Sequence, residues 1–287
     1  MTSRRSSSVL VTGAAGRVGQ AFVPVLEARR WSVTACGSNS LDVTDRDAVL
    51  GAVTTLRPEV IVNLAACTDL ERCERQPDTA FAANTLAVRH LAEAARRTGA
   101  HVCHLSTDYV FDGAKGEPYQ EWDETHPQSV YAQSKLAGER ELGPDATIVR
   151  TAWLLDEHAP NLVPSVIALA SDPARTVAFD DTQRGSPTVV EQLVGVIAAL
   201  AAERRPGLFH VTNQGDATWL DVARHVLLAA GGDPGRARPF ALDEERPRRL
   251  ADRPPYSVLD NATLRLSGLT LLPDWHDGVT ALVHRVV

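Results

Sequence analysis

The first half of the chain alternates short apolar runs with longer amphipathic ones, and this alternation restricts the fold more than any other feature. Five runs rich in β-branched residues have the length of strands. The predicted strands cover residues 8–12, 31–36, 60–64, 101–106 and 147–150. The predicted helices between them cover residues 18–30, 46–56, 77–98 and 129–142. Because strands joined by helices form right-handed βαβ units, this half predicts a doubly wound parallel sheet of the α/β class.

The alternation weakens after Trp153, which suggests a second structural region. Helical patterns recur there at 161–171, 189–203, 219–230 and 274–286, with short strand patterns and a segment rich in proline and arginine at 232–256. We therefore expect a first domain over residues 1–155. Residues 156–287 should form mainly a smaller substrate-binding lobe, partly interwoven with the first domain.

Composition narrows the class of protein. The chain has 287 residues, 44% hydrophobic and 23% charged, and a net charge of −7 with scattered basic residues. These values indicate a globular protein and argue against a nucleic-acid surface. No apolar run has the length of a membrane span, and the polar start MTSRRSSS has no apolar signal region. Since the four cysteines show no metal or disulfide spacing, we expect reduced thiols and a cytoplasmic protein.

The first predicted strand ends in a glycine-rich turn, VTGAAGRVGQ, that opens the first predicted helix. Gly13, Gly16 and Gly19 recur at intervals of three residues in this turn. Glycines let the backbone turn sharply and approach a pyrophosphate, which the free N–H groups and dipole of the helix N-terminus then hold. We predict a Rossmann-type dinucleotide site that includes Arg17 and Val18 of the same turn.

The end of the second predicted strand bears on the choice of cofactor. An acid that binds the adenosine ribose is expected there, but residues 35–40 are ACGSNS and contain no carboxylate. A 2′-phosphate would meet no repulsion, and Arg17 could pair with it. The sequence therefore favours NADPH and leaves NADH open. In the alternative interpretation Arg17 is solvated and Asp42 binds the adenine side.

Tyr131 and Lys135 form a candidate catalytic pair in YAQSKLAGE, since side chains four residues apart share one helix face. Thr107 follows Ser106 at the C-terminal end of the fourth predicted strand, the edge at which open α/β sheets bind ligands. A tyrosine with a pKa near 10 is a poor acid at neutral pH, and a nearby ammonium lowers that pKa. We expect Tyr131 to act as the acid, Lys135 to tune it and bind the nicotinamide ribose, and Thr107 to orient the substrate oxygen.

Together these motifs resemble those of the extended short-chain dehydrogenase/reductases, and most closely those of the dTDP-4-dehydrorhamnose reductase family. They span nearly the whole chain in the family's order, and STDYVFDG and GSPT are more discriminating than the glycines. The segments that carry the resemblance are VTGAAGRVGQ, VNLAACTDLERCE, LSTDYVFDG, YAQSKLAGE, VRTAWLL, RGSPT and RPPYSVLD.

The resemblance implies reduction of the 4-keto group of a dTDP-linked 4-keto-6-deoxyhexose, first of all dTDP-4-dehydrorhamnose to dTDP-L-rhamnose. Hydride would reach the sugar C4 while Tyr131 protonates the 4-oxygen. Asp108 and Trp153 match positions that border the sugar, and Arg253 is either a ligand of the nucleotide-sugar phosphates or a surface arginine. The positions that match the family's cofactor contacts are Asp42, Val43, Ala65, Ala66 and Cys67.

Two other functions stay open. Related dehydratases carry a glutamate after the threonine–aspartate pair, but here Tyr109 follows Asp108, which favours simple reduction. The alternative of a different class is a cofactor-binding regulatory subunit without activity. The presence of Thr107, Tyr131 and Lys135 favours an enzyme.

The identity of the sugar also stays open, because the chain departs from the family pattern at Cys67, Glu71 and Arg184. A reductase of another dTDP-4-keto sugar, or of a branched sugar of the dihydrostreptose type, fits nearly as well. Some family members form a magnesium-bridged dimer through a carboxylate at the position of Ala21, so we predict no metal here. A monomer and a homodimer are both compatible with the sequence.

Overall fold

The structure is a computed structural model that describes residues 7–158, 161–170, 175–240 and 249–287. The chain divides into two compact units. The first contains the chain up to Val110 together with Pro127–Arg150 and Val194–Phe209, and the second contains Phe111–His126, Thr151–Leu193 and His210–Val287. We expected a first domain over residues 1–155 and a lobe over residues 156–287 that is partly interwoven with it. Along the chain, residues 194–209 belong to the first unit, and residues 111–126 belong to the second.

A six-stranded sheet forms the centre of the first unit. Numbered along the chain, its strands are β1 (Ser8–Thr12), β2 (Ser32–Cys36), β3 (Val60–Asn63), β4 (His101–Thr107), β5 (Thr147–Thr151) and β10 (Gly207–His210). Their order is β10–β5–β4–β3–β1–β2, and the pairs from β2 to β4 are parallel. All four residues of β3 are buried, as expected for a parallel strand covered on both faces. The predicted fold class is confirmed.

The helices of the first unit follow the sequence signals for helix ends. Asp45 accepts hydrogen bonds from the first turn of α2, and Gly99 ends α5 with a φ of 77°. These helices are α1 (Arg17–Ala28), α2 (Arg46–Leu56), α3 (Leu70–Arg75), α4 (Pro77–Phe81), α5 (Ala87–Thr98), α6 (Val130–Arg140) and, from Val194 onward, α8 (Val190–Ala202).

The single helix predicted over residues 77–98 is interrupted by a π-helical turn at Ala82–Leu86. The turn directs the buried Asn84 side chain at Ser134 of α6, whose Oγ accepts a hydrogen bond from Asn84 Nδ2 at 2.9 Å. A Cβ on Gly138 of α6 would lie 2.1 Å from the Asn84 carbonyl oxygen, so α6 approaches this turn closely. The interruption therefore helps to position α6. Helix periodicity did not predict it, because all of these residues are compatible with an α-helix.

The second unit has a helical core with three short strand pairs. Its helices α7, α9 and α11 pack together, and α9 begins with a capping box formed by Thr218 and Asp221. Its helices are α7 (Leu162–Ala170), α9 (Trp219–Ala229), α10 (Ala262–Leu266) and α11 (Trp275–Val286). Its strands are β6 (Leu154–Leu155), β7 (Val177–Phe179), β8 (Arg184–Gly185), β9 (Thr188–Val189), β11 (Ala217–Thr218) and β12 (Ala237–Pro239), paired as β6–β9, β7–β12 and β8–β11.

Parts of two predicted segments, Ser171 and residues 241–248, lie outside the described residues. Among the helices that are described, none has both the length and the apolarity of a membrane span.

Candidate active site

The glycine turn lies where the strand order reverses, between β1 and β3. Gly13 has a φ of 69°, and a Cβ on it would lie 2.5 Å from the backbone nitrogen of Ala65, just after β3. A Cβ on Gly19 would lie 2.4 Å from the Gly13 carbonyl oxygen. Because only glycine fits at these two positions, the loops after β1 and β3 meet at the edge where open α/β sheets bind ligands.

Helix α1 presents an uncapped N-terminus at this edge. Gly16 is its N-cap and provides no side-chain hydrogen bond, Arg17 is exposed, and Val18 packs inside. The first N–H groups of α1 therefore have no capping side chain, and together with the helix dipole they can hold an anion. Together with the close glycine packing, this arrangement fits the pyrophosphate of a dinucleotide.

The loop after β2 contains no carboxylate up to Ser40, and Asp42 is engaged locally. The Asp42 carboxylate accepts hydrogen bonds from the backbone N–H and the hydroxyl of Thr44, at 2.9 and 2.7 Å. These two bonds lower the pKa of Asp42. Val43 is half-buried, and its carbonyl oxygen lies 3.3 Å from His90 Nδ1. The assignment of Asp42 and Val43 to cofactor contacts stays a prediction.

The loop after β3 carries Ala65, Ala66 and Cys67, and two asparagines hold it. Asn63 Oδ1 accepts from the Ala65 N–H, while Asn84 exchanges two hydrogen bonds with the backbone of Cys67. All three loop residues are half-buried. A rigid loop of small residues beside the glycine turn allows a flat ligand to approach the backbone.

Thr107 and Tyr131 meet at the C-terminal end of β4. Ser129 caps α6, so Tyr131 stands in its first turn. Tyr131 forms a hydrogen bond with the Thr107 side chain, and its ring meets that of Tyr109 edge to face at 6.2 Å. Thr107 Oγ1 also lies 3.1 Å from Asp108 Oδ1, so Tyr131 and Asp108 compete for its single hydroxyl proton.

Lys135 lies one turn further along α6 and is buried against the same strand. Its Nζ donates to the carbonyl oxygen of Leu105 at 2.6 Å. The structure therefore brings Thr107, Asp108, Tyr131 and Lys135 together at the end of β4. What these residues do in a reaction stays a prediction.

The expected lowering of the Tyr131 pKa was wrong. Burial raises the pKa of Tyr131 above its usual value, the hydrogen bond from Thr107 opposes this, and the charge of Asp108 adds to it. Burial also lowers the pKa of Lys135 to about 8, against a smaller opposing effect of Glu139. The cause is that burial disfavours each charged form. At neutral pH Tyr131 is therefore a neutral phenol, which is the form of a proton donor.

In the second unit, Trp153 adopts an unusual backbone conformation. Its φ is 39°, its indole stacks on Trp219 at 3.9 Å, and a Cβ on Gly185 would lie 2.4 Å from the same ring. A tryptophan in the left-handed region is strained, and such strain is common at functional sites. Trp219 is half-buried beside it.

Arg253 is half-buried in the second unit, and its Nε has no hydrogen-bond partner among the described residues. A buried N–H donor left unpaired is unfavourable unless a ligand accepts from it. The assignment of Arg253 as an anion ligand stays a prediction.

Comparison with known proteins identifies the family. The RmlD substrate binding domain profile matches residues 7–287. The dTDP-4-dehydrorhamnose reductase of Streptomyces griseus is 43% identical over 281 residues, covering 94% of this chain and 91% of that protein. The chain belongs to the dTDP-4-dehydrorhamnose reductase family. This confirms the family that the sequence motifs predicted, and with it an oxidoreductase rather than a regulatory subunit.

Members of the dTDP-4-dehydrorhamnose reductase family differ in the sugar for which they are named. The dTDP-4-keto-6-deoxy-D-glucose reductase of Streptomyces niveus is 40% identical to this chain over 275 residues and 94% of each chain. The dTDP-4-dehydrorhamnose reductase of Bacillus anthracis, solved in complex with NADP, matches with a TM-score of 0.91 at 30% identity, covering 98% of this chain and 99% of that one.

We predict that Gly185→Ala lowers the free energy of unfolding by about 1–3 kcal/mol, because the added methyl group overlaps the Trp153 ring. Urea denaturation measures this value. The matched control is Gly51→Ala, at an exposed position of α2 with nothing within 4 Å, which should leave stability unchanged or raise it by up to about 1 kcal/mol. Equal effects of the two substitutions would contradict the assigned packing of Trp153.

Proposed function

We propose that this protein is an NADPH-dependent reductase that converts the 4-keto group of a dTDP-linked 4-keto-6-deoxyhexose into a hydroxyl, with dTDP-4-dehydrorhamnose as the principal substrate. One observation carries the proposal: Thr107, Tyr131 and Lys135 meet at the C-terminal end of β4, in the sheet whose switch point holds the glycine turn. Two relatives of similar identity are named for different sugars, so the choice of sugar is the finer part of the proposal.

Tyr131 acts as the acid in this reaction. A ketone that receives a hydride at carbon needs one proton at oxygen to become a secondary alcohol, and the neutral Tyr131 hydroxyl can supply it. The Thr107 hydroxyl, which already bonds Tyr131, orients the same substrate oxygen. The bound nicotinamide supplies the hydride. Lys135, with a pKa of about 8, binds the ribose and exchanges a proton near neutral pH.

Reduction is favoured over dehydration by the residue beside the acid. Dehydration of the sugar requires a second base that removes a proton from carbon. Tyr109 stands at the position where related dehydratases carry a glutamate, and its ring packs against Tyr131. A phenol packed on another phenol provides no base of suitable pKa.

The remaining ligands are assigned by position. We propose that the loop residues Asp42, Val43, Ala65, Ala66 and Cys67 contact the cofactor. The sugar contacts Asp108 and the strained Trp153, and Arg253 binds a phosphate of the nucleotide. We further propose a cytoplasmic enzyme, monomeric or homodimeric, whose second unit holds most of the sugar nucleotide.

Turnover assays test the proposed function. The purified protein is incubated with NADPH and dTDP-4-dehydrorhamnose, and oxidation of NADPH is followed with the product identified by NMR. We expect dTDP-L-rhamnose. Turnover of a different dTDP-4-keto sugar alone would reassign the substrate, and no turnover of any such sugar would overturn the proposal.

We predict that Tyr131→Phe lowers kcat at least about 100-fold, because the general acid is lost. The Kd of NADPH, measured by fluorescence titration, should stay within about threefold, since a phenyl ring fills the same space. Thr107→Ser is the milder control, which keeps the hydroxyl and should retain most activity. Substantial turnover by Tyr131→Phe would refute its role as the acid.

We predict that Arg17→Ala lowers kcat/KM for NADPH about tenfold and leaves the value for NADH nearly unchanged, because one charge-assisted contact with the 2′-phosphate is lost. Arg29→Ala, at the opposite end of α1, is the matched control and should affect neither cofactor. Equal losses for both cofactors with Arg17→Ala, or a clear preference of the wild type for NADH, would contradict the proposal.

A further inference from the structure

Three adjacent strands carry a row of buried polar side chains that ends at Lys135. Thr12 is the register partner of Asn63, and Asn63 is the register partner of His104. Thr12 Oγ1 donates to Asn63 Oδ1 at 2.6 Å, Asn63 Nδ2 lies 3.0 Å from His104 Nδ1, and His104 Nε2 lies 3.4 Å from Lys135 Nζ. At most 3% of any of these residues is exposed. Burying four polar groups is unfavourable unless each is paired, so the directions of their hydrogen bonds matter.

The backbone N–H of Ala65 sets these directions. It can only donate, and it points at Asn63 Oδ1, 3.2 Å away. The amide oxygen of Asn63 therefore faces Thr12 and Ala65, and its NH2 group donates to His104 Nδ1. Burial lowers the pKa of His104 well below its usual value, and a proton on Lys135 lowers it further, so the imidazole is neutral in either form of Lys135. A neutral imidazole whose Nδ1 accepts carries its proton on Nε2.

This Nε2–H faces the nitrogen of Lys135. An uncharged amine suits both of its neighbours, because it accepts from His104 and donates to the Leu105 carbonyl oxygen at 2.6 Å. An ammonium has no lone pair, so it would set a donor against the Nε2–H donor.

Several other charged groups lie on α6 or pack against it, and of these Glu139 opposes the lowering of the Lys135 pKa. On α6 itself, Glu139 is paired with the buried Arg150 of β5 at 2.7 Å. Glu74 on α3 accepts a hydrogen bond from the Val130 N–H. Arg89 on α5 forms an ion pair with Glu141. Asp108, in the turn after β4, raises the Tyr131 pKa by its charge, while burial raises the pKa of the nearby Cys73 thiol to about 12 and keeps it neutral.

We propose that His104 is a positioning residue that, through its Nε2–H, holds the nitrogen of Lys135 at the Leu105 carbonyl and favours its uncharged form. The proposal rests on the proposed function only for the use of Lys135 in the reaction. The interaction itself is a property of the free protein.

The protonation state of Lys135 also affects the loop after β3. When Lys135 takes up a proton from solvent, His104 moves its own proton from Nε2 to Nδ1 so that Nε2 can accept from the ammonium. Asn63 must then turn its amide oxygen toward Nδ1–H, and its NH2 group displaces the Ala65 N–H from its acceptor. The charge on Lys135 is thereby tied to the loop after β3, which contacts the glycine turn.

The chain has only two lysines, so the effect can be measured directly. Protein labelled with 13Cε-lysine is titrated by NMR without cofactor or substrate. We expect Lys135 to titrate near pH 8 in the wild type. In His104→Asn, whose amide oxygen replaces Nδ1 but which has no group at Nε2, the Lys135 pKa should rise by about one unit or more. Lys115 is the internal control. Burial lowers its pKa, but the hydrogen bond and the charge of Asp123 outweigh burial, so the net shift is upward. The Lys115 pKa should be the same in the wild type and the variant.

A second variant and a second measurement complete the test. In His104→Gln the side-chain oxygen can reach Lys135, so its pKa should rise as well. In the wild type, 15N spectra of His104 should show the Nε2–H tautomer above the Lys135 midpoint and the Nδ1–H tautomer below it. A Lys135 pKa that stays near 8 in either folded variant, or a His104 tautomer that does not change, would overturn the proposal. Loss of turnover with every 4-keto sugar would overturn the proposed function and leave this result standing.

Discussion

Parallel pairing of β1 with β3 is the constraint on which the candidate site depends. In a parallel sheet the C-terminal ends of all strands lie along one edge, and the strand order reverses between these two. The register sets Thr12 opposite Asn63, so the turn at Gly13 and the loop at Ala65 come into direct contact. Any side chain between them would push the strands apart. The glycine turn is thus required by the sheet itself, independently of any ligand.

Burial then separates the proton affinities of the two central groups. Removing a phenol from water favours its neutral form and raises its pKa, while removing an ammonium favours the amine and lowers its pKa. Tyr131 and Lys135 therefore move in opposite directions within one helical turn. The result is a neutral phenol beside an amine whose pKa lies near 8, which is the arrangement that the proposed proton transfer requires. With α6 packed closely on the π-helical turn, Lys135 is buried and Tyr131 is half-buried.

The sequence predicted the strands, the glycine turn and the group formed by Thr107, Tyr131 and Lys135. These features come from local patterns, namely hydrophobic periodicity, turn chemistry and spacing along one helix. The sequence did not predict the π-helical turn at 82–86, nor that residues 111–126 belong to the second unit. Both depend on contacts between segments far apart in the chain. The Tyr131 pKa was predicted in the wrong direction, because a spacing of four residues says nothing about how deeply the pair is buried.

His104 shows where sequence analysis ends. The strand predicted over residues 101–106 contains His104, and the prediction of a strand is confirmed, but no role was predicted for the histidine. Its partners, Asn63 and Lys135, lie 41 and 31 residues away. The sequence by itself determined the fold class, the family and the reaction chemistry, because these follow from residue types in local patterns. Only the tertiary structure decided which groups carry charge and how their hydrogen bonds run, since burial and donor direction arise where separate strands meet.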